Sequence, residues 1–382
     1  MHRGLRNGLI VAGAASLLSV AVFAAIRGGS VIPGDLTGDG KKFDFNNPPC
    51  QAGVTIPTPD AVDVRYTGSG GVYIGWQGNA ILLGPFFSNP GLITAQFRNL
   101  HHDEDRIHQH MQALAGVPIR AILTGHSHYD HIGDVPVVAR QYAPQAKIYT
   151  NTTGTRMLAA YSDLRSRLAT IDEHKPISIT DSAGNEVMRI HAVMSDHAPQ
   201  LCRCRHWPCD YADCSIEKDW TTAFEQHKLR SFCGGQTYAF VIDLMVGKKI
   251  QYRIYYNDAA ATAPLGIPSE ALSAEHPVYD LAILCMASYD FVKDYPAKLL
   301  AAIRPRHVVL SHYEDFFSKS EGHWRFVPLL TDAKAARFLR ELRDSHVVTD
   351  PLPPANKVCG PATREWTMPV PAEQMLFQPD GR

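Results

Sequence analysis

The stretch His126-Ser127-His128-Tyr129-Asp130-His131 follows an apolar run, Pro118 to Leu123, that reads as a buried strand. Three imidazoles and one carboxylate within six residues make a metal-ligand pattern. Imidazole suits zinc, and the carboxylate makes room for a harder or a second cation, so mixed donors at this density point to divalent-metal chemistry rather than to packing. His126 and His128 stand two apart on a loop and can converge on one ion, while Asp130 and His131 lie far enough along to hold another. A solvated polar loop is the competing reading, and the crowding of ligand types argues against it.

Outward from this loop the period of the apolar residues alternates between strand and helix. Val62 to Tyr66, Val72 to Trp76 and Ala80 to Leu83 read as an antiparallel meander at a sheet edge, split by Gly-rich turns. Ile107, Met111 and Leu114 fall on one face of a helix over Asp103 to Ala115, with Asp103, Glu104 and Asp105 suiting its first turn. Asp134 before Val135-Pro136 reads as the N-cap of the helix that follows the histidine loop, and Lys147 to Thr150 as the next strand. Val187 to Met194 alternates as a strand ending at Ser195-Asp196-His197. Gln236 to Leu244 and Lys249 to Tyr256 form a hairpin that delivers Asn257-Asp258. Leu281 to Met286, a helix over Pro296 to Ile303, and His307 to Leu310 make a further α/β unit delivering Ser311-His312. Thr331 to Arg343 reads as the last helix. Beyond it Pro351, Pro353, Pro354, Pro361, Pro369 and Pro371 predict an extended tail, 349–382, wrapped over the surface.

Composition narrows the classes. The chain has 382 residues, 45% hydrophobic, enough for one large domain with extensions. Its 37 Lys and Arg against 38 Asp and Glu lack the basic excess that grips a phosphate backbone, so nucleic acid is not an expected partner. His2, Arg3 and Arg6 precede an uncharged run from Asn7 to Ile26, the layout of a bacterial-type export signal with a cut after Ala24. The same run is long enough to span a bilayer, so residues 1–26 are read as signal peptide or N-terminal membrane anchor. The mature chain is then periplasmic or secreted, or held at the inner membrane through residues 7–26. Residues 27–60 read as an irregular lead-in and 61–348 as the folded domain, with a Cys-rich insertion at 198–235.

Eight cysteines agree with export if most are paired. Cys202, Cys204, Cys209, Cys214 and Cys233 crowd the insertion, where with His206 they leave structural zinc open beside disulfides, the reading export favours. A Cys50–Cys359 bridge would tie the two tails together, and Cys285, inside an apolar strand pattern, reads as a small buried hydrophobe. Trp207, Tyr211, Trp220 and Phe224 make the insertion a candidate lid over an apolar substrate, with packing over the sheet edge as the alternative. His101, His102, His108 and His110 sit on differing faces of their segment and read as a solvated or pocket-rim cluster.

The order His126-x-His128-x-Asp130-His131, then His197, then Asp258, then His312, each past a strand end, resembles the metallo-β-lactamase-fold hydrolase superfamily over roughly Val62 to Arg343. That resemblance implies an α/β (α+β) fold: a four-layer αβ/βα sandwich of two mixed β-sheets flanked by helices, with two metals at one edge. It implies His126, His128 and His197 on one ion, Asp130, His131 and His312 on the other, and Asp258 bridging, with two zinc ions, or manganese or iron, as cofactors. Metal-activated water would then be the nucleophile, and Asp130 a catalytic residue that orients it or passes its proton on. His191 and His307 are rival ligands, but each lies within or at the start of a strand.

Gly84, in Leu82-Leu83-Gly84-Pro85-Phe86, stands where relatives usually carry an Asp that braces the histidine loop, so bracing is expected from Asp63, Asn79 or Asn89. Asn257 replaces a more usual Gly, and Asn tolerates the left-handed conformation such a turn often needs. The expected function is metal-dependent hydrolysis of an ester or phosphodiester bond in a small-molecule or lipid-like substrate. Tyr129 and the Ser-His-Tyr-Glu-Asp stretch at 311–315 look closest to the lactonase and N-acylphosphatidylethanolamine phospholipase D-like branch. Alternatives are a lactone or β-lactam (amide) hydrolase, a mononuclear-iron thiol or persulfide oxygenase, and a non-catalytic envelope binding protein.

Overall fold

The strand-like runs of the sequence become two mixed sheets of seven strands each, in a computed structural model that describes residues 31–32, 43–44, 57–58, 60–199, 214–318, 325–345 and 366–379. A separate ribbon pairs β1 (Val31–Ile32) with β2 (Phe43–Asp44). The first sheet opens on the expected meander, β3 (Val62–Gly68), β4 (Gly71–Trp76) and β5 (Asn79–Leu83), and continues in parallel through β6 (Ile119–Leu123), β7 (Lys147–Thr150) and β8 (Leu168–Thr170). In the second, β9 (Ile177–Thr180), β10 (Glu186–Ser195), β11 (Thr237–Val246) and β12 (Lys249–Tyr256) run antiparallel, and β13 (Leu281–Cys285) and β14 (His307–Ser311) extend it in parallel.

Successive strand side chains point to opposite faces, and this separates two cores. Val72, Ile74, Ile81 and Leu83 face inward and join Ile190, Phe240, Ile242 and Ile254 of the second sheet in one buried cluster. Their neighbours Tyr73, Ala80 and Leu82 face outward, against α1 (Leu92–Phe97), α2 (Glu104–Ala113), α3 (Tyr129–Ile132), α4 (Val135–Gln141) and α5 (Thr152–Leu158). Outside the second sheet lie α6 (Glu270–Glu275), α7 (Ala297–Ile303) and α8 (Asp332–Asp344). The layers are therefore helix, sheet, sheet, helix, as expected. Helix α2 begins where its cap predicts, Asp103 accepting from the Arg106 amide at 3.2 Å.

Two expectations need correction. Asp134 stands at the start of α4 but its side chain does not cap it; the carboxylate turns inward instead. Residues 366–377 do not lie on the surface as an extended tail. Trp366–Thr367 forms β15, parallel to β14, and Gln374–Phe377 forms β16, antiparallel to β3, so each sheet ends on a C-terminal strand. Pro369 and Pro371 sit between these strands, where no ladder amide is needed. Runs of two and four residues are too short to show a period. The short strands β8 and β9 and helix α1 escaped the sequence reading for the same reason. Residues 1–26, most of the lead-in, the Cys50–Cys359 pair and Cys202, Cys204, Cys209, His206, Trp207 and Tyr211 lie outside the described residues.

One buried ion pair fastens the outer layer to the second sheet. Arg253 and Asp243 stand opposite each other across β11 and β12, both fully buried, with paired bonds of 2.6 and 2.9 Å. The same guanidinium donates to the carbonyls of Leu272 and His276, at the end of α6. Asp243→Ala strands that charge and is expected to lower the unfolding free energy by about 3–5 kcal/mol in urea titration, with Asp243→Ala/Arg253→Met recovering most of the loss.

Candidate metal centre

Four strand ends meet at one edge of the sandwich. The histidine loop leaves β6, His197 follows β10, Asp258 follows β12 and His312 follows β14. Within the loop Ser127 points away from its neighbours: its hydroxyl donates to Asn151 Oδ1 at 2.7 Å and its amide to the Gly234 carbonyl at 2.9 Å. Anchoring the middle residue fixes the directions of His126 and His128 on either side. Asn151 also donates to the carbonyls of Gly234 and Gln236, and the Cys214–Cys233 disulfide closes this corner.

All seven expected side chains converge. The rings of His126, His128 and His197 form a triangle with centroids 4.6–4.8 Å apart. His131 lies 4.3 Å from the His126 ring and 5.2 Å from that of His312. Asp130 Oδ2 sits 3.5 Å from His312 Nε2 and 3.7 Å from His131 Nε2. Three donor sets could each hold a cation: His126, His128 and His197; Asp130, His131 and His312; and His126, His131 and Asp258.

Asp258 approaches from one side. Its oxygens lie 3.2 Å from His126 Nδ1 and 3.6 Å from His131 Nδ1, and one accepts the Gly125 amide at 3.1 Å. A side chain at Gly125 would come within 2.6 Å of both oxygens, so the loop can pass the carboxylate only as glycine. Asp258 thus contacts both imidazoles by the nitrogen that carboxylates usually orient in metal sites.

The chemistry of the donors fits divalent cations. His126 Nε2, both nitrogens of His131 and His312 Nδ1 are buried without a hydrogen bond, an expensive state for imidazole unless a ligand completes it. Burial and the neighbouring His126 and His312 hold His131 down to about 3, and burial with His128 and His126 keeps His197 far below the usual imidazole value. Burial opposes ionisation of Asp258, yet His126 and His131 hold it at about 2; Asp130 is likewise held far down, by His131 and His312. Neutral His131 and His197 beside ionised Asp130 and Asp258 are the protonation states that metal ligands require, whereas at His312 burial is outweighed by Asp130, which raises its pKa.

Bracing does not come from the residues expected. Asp63 pairs with Arg65 at 2.6 Å, Asn79 accepts from Arg120 at 2.8 Å, and Asn89 lies 3.5 Å from the Ser69 hydroxyl. Asp134 does part of the work instead. Fully buried, it accepts from the amides of Phe87 and Ser88 and the Ser88 hydroxyl at 2.7–2.9 Å and lies 3.1 Å from His102 Nδ1, tying the segment after Gly84 to the end of the histidine loop. His102 is correspondingly buried, not solvated, with Glu225 Oε1 3.3 Å from its other nitrogen. Sequence reading missed this contact because its partners are 32 residues apart. His191 lies 3.6 Å from Asp243 and His307 2.8 Å from the Thr367 hydroxyl, so the rival histidines have other partners. In the described part of the insertion, Phe224 packs against Tyr161, Phe232 and Trp220 in the outer core rather than over the site.

No family model matches the chain, and no curated protein does. Among solved structures it is similar to a metallo hydrolase from the hyperthermophilic archaeon Ignicoccus hospitalis, at 15% identity over 83% of this chain and 98% of that one, TM-score 0.46. It is also similar to an isothiocyanate hydrolase from Delia radicum gut bacteria, at 15% identity over 82% and 99%, TM-score 0.44. The diiron β-hydroxylase CmlA from Streptomyces venezuelae aligns at 11% identity over 85% of this chain and 55% of its own, TM-score 0.45. Two mixed seven-stranded sheets flanked by helices fit an α/β sandwich like the metallo-β-lactamase fold.

Two outcomes check the Asp134 brace. Asp134→Ala is expected to lower the unfolding free energy by about 2–5 kcal/mol in chemical denaturation, since each buried donor left without an acceptor costs about 1–3 kcal/mol. Burial disfavours charge on His102, but Asp134, Glu225 and Glu104 outweigh it and raise its pKa. The stability this supplies is complete below the unfolded value of about 6.5 and is lost as pH rises through the native value. Metal-free wild type should therefore exceed His102→Gln in stability by more at about pH 5.5 than at about pH 8.5.

Proposed function

We propose that this chain is a metal-dependent hydrolase that holds two divalent cations, zinc in the first instance, and cleaves an ester or phosphodiester bond with water. The observation that carries the reading is the pair of complete, interlocked three-residue donor sets, in which burial and neighbouring imidazoles keep His131 and His197 neutral while Asp130 stays ionised. His126, His128 and His197 would hold one cation and Asp130, His131 and His312 the other, with Asp258 between the two sets against His126 and His131. Bound there, divalent cations polarise the scissile group and bring the pKa of water from about 15.7 to about 7.

Protein groups do the rest. Two nearby side chains are poorly suited to replace water as the nucleophile. The Ser127 hydroxyl is committed to Asn151, and burial pushes the Cys285 thiol far above its usual pKa. Asp130, ionised and flanked by His131 and His312, is placed to accept the proton from water and return it to the leaving group. Asp258 lies within hydrogen-bond reach of His126 Nδ1 and so orients that ring, and it stands 3.6 Å from His131 Nδ1. Phe316, with its ring 5.0 Å from His312, and Phe317 against it give the site an apolar wall, which supports a substrate with an apolar or lipid-like portion. The Cys214–Cys233 disulfide supports an exported, oxidising setting.

Elemental analysis of purified protein should find two zinc per chain, and His126→Ala or His312→Ala should remove one each, because loss of one of three donors opens a set. Turnover of a p-nitrophenyl ester or bis-p-nitrophenyl phosphate should stop on chelation and return with zinc. Asp130→Asn should lower kcat by at least about 100-fold. Iron at one per chain would favour the oxygenase alternative, turnover of a chromogenic cephalosporin the amide one, and a metal-free chain the binding protein.

A further inference from the structure

His312 leaves β14 in the left-handed region, with φ +55°, a conformation that is unfavourable for a non-glycine residue. The turn swings its backbone N–H out of the sheet ladder, and that N–H donates to the hydroxyl of Tyr66 at 2.9 Å. Tyr66 is fully buried on β3, and its own hydroxyl proton goes to the carboxylate of Glu314, two residues past His312. The other Glu314 oxygen accepts the amide of Ser69, in the turn between β3 and β4. Burying a carboxylate this deeply, at 2% exposure, is costly unless its bonds are well made, so the arrangement calls for a reason beyond packing.

The turn it holds supplies one. Gly68, Ser69 and Gly70 all have positive φ, at +96°, +51° and +77°. Gly70 rests against the second donor set: a side chain there would meet His131 Cε1 and His312 Cδ2, each at 3.2 Å. Its carbonyl accepts from the Tyr256 hydroxyl at 2.9 Å. One buried carboxylate therefore fixes the His312 main chain through Tyr66 and, through Ser69, the glycine turn that backs both imidazoles. The first set is held by other contacts: Ser127, between His126 and His128, bonds Asn151, Asp258 lies against His126 Nδ1, and His197 Nδ1 lies 2.7 Å from the Ala198 carbonyl.

We infer that Glu314 and Tyr66 are positioning residues for the Asp130, His131 and His312 set alone, so that together they set the affinity of one of the two cations and leave the other untouched. The inference rests on the two-cation reading above. Orienting groups of this kind typically contribute about 10–100-fold to metal affinity.

Stepwise zinc titration of metal-free protein against a competing chelator tests it, in wild type, Tyr66→Phe and Glu314→Gln, with His312→Ala marking the step that belongs to this set. Expected is a weakening of that step by about 10–100-fold in both variants with the other step unchanged. Glu314→Gln keeps the side-chain shape and reads the effect if Tyr66→Phe does not fold. Equal weakening of both steps, which a general loss of structure would give, overturns the inference, as do two unchanged steps. Wild type that takes up fewer than two zinc ions overturns both this inference and the two-cation reading.

Discussion

Taking His126, His128, Asp130, His131, Asp258 and His312 out of water together is the constraint that the rest of the molecule accommodates. Burial alone would push the carboxylates toward neutrality and strip charge from the imidazoles. Packing the two kinds against each other lets the acids stay ionised while burial and neighbouring imidazoles keep His131 and His197 neutral, and Asp130 draws His312 the other way. What results is a pocket of lone pairs and negative charge that the fold does not satisfy from within, as the unbonded nitrogens of His126, His131 and His312 record. A cation would supply the missing partner, and its binding free energy at this edge would then also be folding free energy.

Such a cluster persists only on a frame that cannot relax around it. Each donor stands at or just past the end of a strand whose other residues are buried in the core between the sheets, so moving one ligand would mean moving a packed strand. Polar bonds then set the finer geometry. Ser127 is held by Asn151 and Gly234, Gly125 makes room for Asp258, and Asp134 clasps the segment from Phe87 to His102. The two C-terminal strands matter here as well, since β16 covers the edge of β3 and β15 that of β14, the strands that carry Tyr66 and deliver His312.

Most of this centre was legible in the chain because its chemistry is concentrated. His126 to His131 announce themselves by density, and His197, Asp258 and His312 by falling just past apolar runs of strand length. The sandwich followed from the alternation of Val62 to Leu83 and from the α/β units around it. What stayed hidden were relations between distant residues with no local period: His102 with Asp134, Tyr66 with Glu314, Ser127 with Gly234. The tail was misread for a different physical reason. Prolines suggested an open coil, but Pro369 and Pro371 only join two strands whose stability comes from β14 and β3, not from their own two and four residues.

Gly84 shows how such distant relations settle what a local substitution means. Its backbone, at φ +48°, aims an absent side chain straight at His131 Nδ1, 3.1 Å from where a Cβ would be, which is the position from which a carboxylate would orient that ring. Glycine leaves room on that side of the ring, and Asp258 reaches the same nitrogen from across the site to 3.6 Å, short of a hydrogen bond, while lying 3.2 Å from His126 Nδ1. Any side chain at 84 would press on His131, and an Asp would add a second negative charge near Asp258. Gly84 and Asp258 are therefore linked through one ring: the acid can approach both imidazoles because the small residue keeps the space beside His131 clear.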